Sequence, residues 1–234
     1  MSDTGGRIDG IAGEEQAWNE RQLSRPVTVP CWRTWDYRAA AVVLGCSQRA
    51  LLADAQRRST VPVLLRSSGG GAVLTGPWML GLSILLPPQH PLLAGSLASS
   101  YRWLGELFAQ CLRSAGIGAS TVPVDSRLLQ RPAVELLWAC FASTLAWEVV
   151  VGERKIVGLS QRRRQHGVLL AAGLLFDVTD WSLLCAALDR PRGEAAQLAR
   201  CTTSCREQSP APPTKSQLIV RLTGELERVL TAAT

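Results

Sequence analysis

The chain of 234 residues is 47% apolar and 19% charged, a composition that makes its bulk globular rather than disordered and allows one sizeable core. Its formal charge of +6 comes almost wholly from arginine, since Lys155 and Lys215 are the only lysines, and it suits an acidic or phosphate-bearing partner. Nucleic acid is not expected, because no helix-turn-helix, zinc-finger or aromatic RNA-binding signature accompanies that charge.

The N-terminus, Met1 to Gly13, has no apolar core of the signal-peptide kind and reads as a flexible tail. Glu14 to Leu23 is expected to be the first helix. Ala39 to Leu44 reads as a buried strand, Arg49 to Arg58 as a helix and Val61 to Arg66 as a second strand. Ser67 to Gly71 is a glycine loop. Ala72–Leu74 and Met79–Leu86 are apolar segments that suit neighbouring strands, ended by Pro87-Pro88. Leu97 to Ala115 places apolar residues at steps of three and four, the spacing of an amphipathic helix stopped by Gly116 and Gly118. Pro123 to Pro132 reads as an exposed loop.

Trp147–Val151 and Lys155–Leu159, joined by Gly152-Glu153, predict a hairpin. Val168–Leu175 is another strand, and Asp180–Leu188 a helix with Asp180 or Thr179 as its N-cap. After Arg190–Gly193 comes a proline-rich linker, then a stripe of Leu218, Ile219, Leu222, Leu226, Val229 and Leu230 that predicts a docked C-terminal helix. The expected division is therefore a tail over residues 1–13, a catalytic domain over 14–193, and a linker with helix over 194–234. Mixed rather than alternating elements predict an α+β fold with a mainly antiparallel sheet. No apolar run is long enough to cross a bilayer, so no membrane contact is expected. Seven irregularly spaced cysteines read as thiols of a reducing compartment, so a cytoplasmic protein is expected. Cys201 and Cys205 lack the second half of a zinc site, and no metal ligands are assigned.

Two motifs carry chemistry. In Arg66-Ser-Ser68-Gly69-Gly70-Gly71-Ala72-Val73, three glycines leave the backbone open to a ligand, and Arg66 is placed to meet a carboxylate or phosphate. The missing Lys-Ser/Thr pair excludes a Walker loop. In Lys155-Ile-Val-Gly158-Leu-Ser-Gln161, lysine is used where this chain otherwise uses arginine, which points to a need for a compact charge.

Together, Arg-Ser-x-Gly-Gly-Gly-Ala-Val and Lys-Ile-x-Gly-x-x-Gln-x-Arg resemble the catalytic domain of the lipoate–protein ligase A family, within the biotin/lipoate protein ligase superfamily. Val43-Leu44-Gly45-x-Ser47-Gln48 and Gly167-Val-Leu-Leu-Ala-Ala-Gly173 resemble further segments of that domain. The resemblance implies the biotin/lipoate ligase fold. It also implies a ligase that uses ATP and Mg2+ to activate lipoate or octanoate as an acyl-adenylate. The acyl group would pass to a lysine of an acidic lipoyl carrier domain of a 2-oxoacid dehydrogenase or glycine cleavage protein. Lys155 would sit on the activated carboxyl, Gly69, Gly70, Gly71 and Ala72 would line the ligand's path with Arg66 and Ser68, and Gly158 would permit close passage. The sequence departs where family ligases carry His-Asp and a later asparagine: here stand Leu74-Thr75-Gly76-Pro77 and Trp78-Met79-Leu80.

Two alternatives stay open. Cys140-Phe141 resembles the Cys-Phe segment of octanoyltransferase relatives, in which the cysteine carries the acyl group without ATP and a nearby lysine would favour its thiolate. A non-catalytic binder of an acyl ligand or a partner protein is the other.

Overall fold

A computed structural model describes residues 7–129 and 136–233. Seven strands form the main sheet in the order β1-β2-β6-β10-β9-β8-β7. They are β1 (Arg7–Gly10), β2 (Cys31–Tyr37), β6 (Met79–Leu86), β7 (Ser120–Thr121), β8 (Val149–Val151), β9 (Arg154–Arg164) and β10 (Gly167–Leu175). Within this sheet, among the described residues, only the β1–β2 pair is parallel. A second sheet, β4-β3-β5, is built from β3 (Ala41–Leu44), β4 (Val63–Leu65) and β5 (Val73–Thr75).

The main sheet is buried on both faces, so its central strand β6 is apolar at nearly every position rather than alternating. On one face, α3 (Arg102–Ser114) and α7 (Lys215–Ala232) bury Leu104, Phe108, Leu218, Leu222 and Leu226 against Leu82, Ile84 and Leu170. On the other lie the small sheet, α1 (Ala12–Leu23), α2 (Leu52–Arg58), α4 (Trp181–Ala187) and α5 (Arg192–Cys201), joined through Trp18, Leu44, Leu74 and Leu198. This is the expected α+β arrangement, with a mostly antiparallel sheet flanked by helices. A short α6 (Cys205–Gln208) precedes α7.

Three expectations change. Residues 7–10 pair with β2 as an edge strand and Ala12 is buried, so the described part of the expected tail belongs to the fold. The segments around β5 and β6 are not neighbours: the Gly76-Pro77 bend passes the chain from the small sheet to the large one, where β5 pairs with β3 and β6 with β2 and β10. The compact part does not end at Gly193. Helix α5 buries Leu198, and Thr202–Ser204 are buried beside β9, with the Thr203 amide donating to the Lys155 carbonyl at 3.0 Å. The Thr202 hydroxyl accepts from the Trp181 indole at 3.2 Å and donates to the Leu198 carbonyl at 2.8 Å. Of the loop expected over Pro123–Pro132, residues 130–132 lie outside the described residues.

Candidate active site

The glycine motif and the Cys140 segment meet at Ala72. Its amide donates to the Trp138 carbonyl at 2.7 Å, and its carbonyl accepts the Cys140 amide at 2.9 Å. The glycines are what permit this. A β-carbon at Gly71 would lie 2.6 Å from the Trp138 carbonyl oxygen and 2.8 Å from the Cys140 nitrogen, so a side chain there would push the cysteine segment away. Gly70 turns the loop with φ of 93°. Arg66 is buried and does not stand free as an anion receptor: its guanidinium donates to the carbonyls of Gly69 at 2.9 Å and Gly71 at 2.8 Å, bracing the loop from within. Ser68, also buried, lies 3.4 Å from the Ser160 hydroxyl on β9.

A cleft opens between the two sheets, lined from both of them and from α1. Cys140, Phe141, Gly158, Arg66, Met79, Tyr37 and Glu15 are among the residues that line it. The half-buried Cys140 therefore borders the space a ligand would fill.

Lys155 is placed differently from the expectation. It is 1% exposed and lies behind the cleft wall rather than in it. Its ammonium pairs with Glu148 at 2.6 Å and donates to the carbonyls of Cys140 at 2.9 Å and Ser143 at 3.0 Å. The ring of Phe141 lies 5.0 Å away. An ammonium has three protons, and all three are engaged. A β-carbon at Gly158 would come within 3.3 Å of the lysine stem and of Phe141, so the glycine makes room for this arrangement as well as for the cleft. The lysine holds the backbone that carries Cys140.

Glu148 was not singled out from the sequence, yet it is the hub. One carboxylate oxygen takes Lys155 and the Leu145 amide at 2.7 Å, and the other takes the Leu159 amide at 3.0 Å. Its signal is a lone charge heading the apolar run Val149–Val151. Trp147 before it has φ of 70°, a costly conformation for a tryptophan. Tyr101, just ahead of α3, is a second omission. Burial, then the Glu148 carboxylate and Cys140, hold its hydroxyl well above its ordinary pKa. Glu15 is a third: burial raises its pKa while Tyr37, donating at 2.7 Å, and Ser83 hydrogen-bond to it.

Where family ligases carry His-Asp and a later asparagine, this chain places other groups. Leu74 is buried in β5, the Thr75 hydroxyl donates to the Ala41 carbonyl at 3.2 Å, and the Trp78 indole packs over Gly76. Among the described residues, no group of three or more His, Cys, Asp or Glu could hold a metal ion. No helix of the described residues is long and apolar enough to cross a membrane.

Residues 11–225 match the lipoyl protein ligase A/B catalytic domain. The octanoyltransferase LipM of an Exiguobacterium species is 32% identical over 176 residues, 72% of this chain and 62% of that protein. That of Kyrpidia tusciae is 30% identical over 197 residues, 81% of this chain and 71% of that protein. A bi-partite lipoate protein ligase from Thermoplasma acidophilum shares the fold, with a TM-score of 0.72 at 19% identity, covering 99% of this chain and 84% of that one.

Proposed function

The chain belongs to the lipoyl protein ligase A/B catalytic domain family, and on that premise we propose that it is a cysteine-dependent octanoyltransferase acting on a lipoyl carrier domain. The observation that carries this reading is the division of labour at the site: Cys140 borders the cleft, while Lys155 is buried and engaged behind it. The relatives named octanoyltransferase LipM support the same reaction class.

The reaction balances without nucleotide. The Cys140 sulfur forms a bond to the acyl carbon of a carrier thioester, the carrier's C–S bond breaks, and the thiol proton ends on the departing carrier thiol. The target lysine of the lipoyl domain, as the free amine, then attacks the new thioester. An amide forms, the Cys140 C–S bond breaks, and an amine proton returns to the cysteine sulfur. The chain's own contribution is positional. Ala72 fixes the Cys140 backbone from the glycine side, and Lys155 with Glu148 fixes it from the β8–β9 side. Exposed Arg163 and Arg164 at the end of β9 offer charge to an acidic acceptor domain.

The ATP-dependent ligase is the second reading, favoured by the shared fold of the Thermoplasma acidophilum ligase. The two separate in one assay. Purified protein is mixed with apo lipoyl domain and either octanoyl carrier protein, or free octanoate or lipoate with ATP and magnesium, and the domain is weighed. Modification from the carrier thioester, lost in Cys140→Ser, is the expected result. Modification only from free acid with ATP would overturn it.

A further inference from the structure

We infer that Tyr37 is the end stop that sets the length of acyl chain the cleft accepts, an inference that rests on the acyl-transfer reading of that cleft. Three glycines stand in register across the main sheet. Gly158 on β9 pairs with Gly173 on β10, Gly173 pairs with Gly81 on β6, and Gly81 pairs with Trp35 on β2. Residues directly opposite across strands share a face. The stripe therefore carries no side chain of its own across three strands, perpendicular to them, beginning beside Phe141.

Two side chains cross that stripe at successive depths. A β-carbon at Gly173 would lie 3.0 Å from the sulfur of Met79, and one at Gly81 would lie 2.2 Å from the hydroxyl oxygen of Tyr37. Met79 is an unbranched thioether that can swing aside. Tyr37 cannot do so cheaply. Its ring is buried in the core, and its hydroxyl is tied to the buried carboxyl of Glu15 at 2.7 Å. Moving the ring would leave Glu15 with only its weaker partners.

Length follows from strand spacing. Two spacings of about 4.8 Å separate Gly158 from Gly81, about 10 Å in all. An extended chain of seven C–C bonds, each about 1.5 Å with near-tetrahedral angles, spans about 9 Å. With Met79 swung aside, a medium acyl chain would run from the Gly158 end up to Tyr37, and two more carbons would collide with the phenol. Met79 is the soft filler of the same bed and Tyr37 its rigid wall.

The test is a donor series of hexanoyl, octanoyl, decanoyl and dodecanoyl carrier thioesters, with parallel thermal-shift titrations of the free fatty acids. Wild-type protein is expected to favour octanoyl over decanoyl by about tenfold or more, the order of discrimination a methylene can give in a closed pocket. Tyr37→Leu should bring the two to near parity, while Met79→Ala leaves the ratio unchanged. A folded Tyr37→Leu protein that keeps the wild-type ratio would overturn the inference, as would a Met79→Ala protein that abolishes it. If Tyr37→Leu does not fold, Gly173→Ala reads the same bed from the other side. It should depress octanoyl use and octanoate binding relative to hexanoyl, and an unchanged ratio would contradict the inference. A chain-length limit seen in fatty-acid binding, with no transfer from any donor, would sink the transferase reading and leave the end stop standing.

Discussion

Cys140 and Lys155 divide the work differently from what their chemistry alone suggests. Lysine is expected on the activated carboxyl, and Lys155 is the buried cation behind a turn that carries the half-buried Cys140. Removing one partner of a buried pair costs about 3–5 kcal/mol, because the other charge is stranded. Lys155→Ala is therefore expected to lower stability by about that amount, read by urea denaturation, whereas Lys155→Met with Glu148→Gln should recover most of it. Thiol labelling separates Cys140 from the core cysteines. Burial pushes Cys205 up to about 12 and Cys111 and Cys185 up to about 11. Iodoacetamide near neutral pH should modify Cys140, with protection by an octanoyl donor, and spare those three. Peptide mapping that finds Cys205 labelled first would contradict this. Glu15 gives a pH signature. Its folded pKa is raised above the ordinary 4.5 by burial. The folded chain holds this proton where the unfolded chain has lost it, so its contribution is complete below 4.5 and declines as pH rises through the folded value. Glu15→Gln removes that slope, and the stability of wild type relative to it should fall from acid toward neutral pH and then level off.

Elements with a strong period were legible, and those made by tertiary contact were not. The stripe on α7 predicted a docked helix, and Leu218, Leu222 and Leu226 are indeed almost fully buried. Leu222→Ala is expected to cost about 2–5 kcal/mol in thermal or denaturant unfolding; a negligible change would mean the helix does not hold the core. The second lysine sits at the head of that helix, paired with Asp36 of β2 at 2.6 Å, an anchor no local pattern announces. The β8–β9 hairpin was read from Gly152, which takes φ of 61° at its turn. Helix α5 and the Thr202–Ser204 segment escaped because their polar residues are buried against Lys155 and Trp181 rather than spaced by an apolar period. Glu148 escaped for the same reason: a single carboxylate carries no periodicity, and its three partners are Lys155 and Leu159 on β9 and Leu145 beyond the Cys140 turn. The glycine loop was legible, but its partner was not. Only the fold shows that Gly71 is small so that the Cys140 backbone can lie against it.

At the scale of the molecule, two sheets enclose a cleft and place the Cys140 residue on its lining. The small sheet brings the glycine loop, the large sheet brings the glycine stripe, and the β8–β9 region brings the braced cysteine. The most direct test is to trap the intermediate. The protein is incubated with octanoyl carrier protein, quenched in acid, and its intact mass and peptides are measured before and after adding apo lipoyl domain. The account predicts one octanoyl group in thioester linkage at Cys140, lost as the domain gains it, and no adduct in Cys140→Ser. A protein that stays unmodified at Cys140 while the domain becomes octanoylated at an undiminished rate would contradict it.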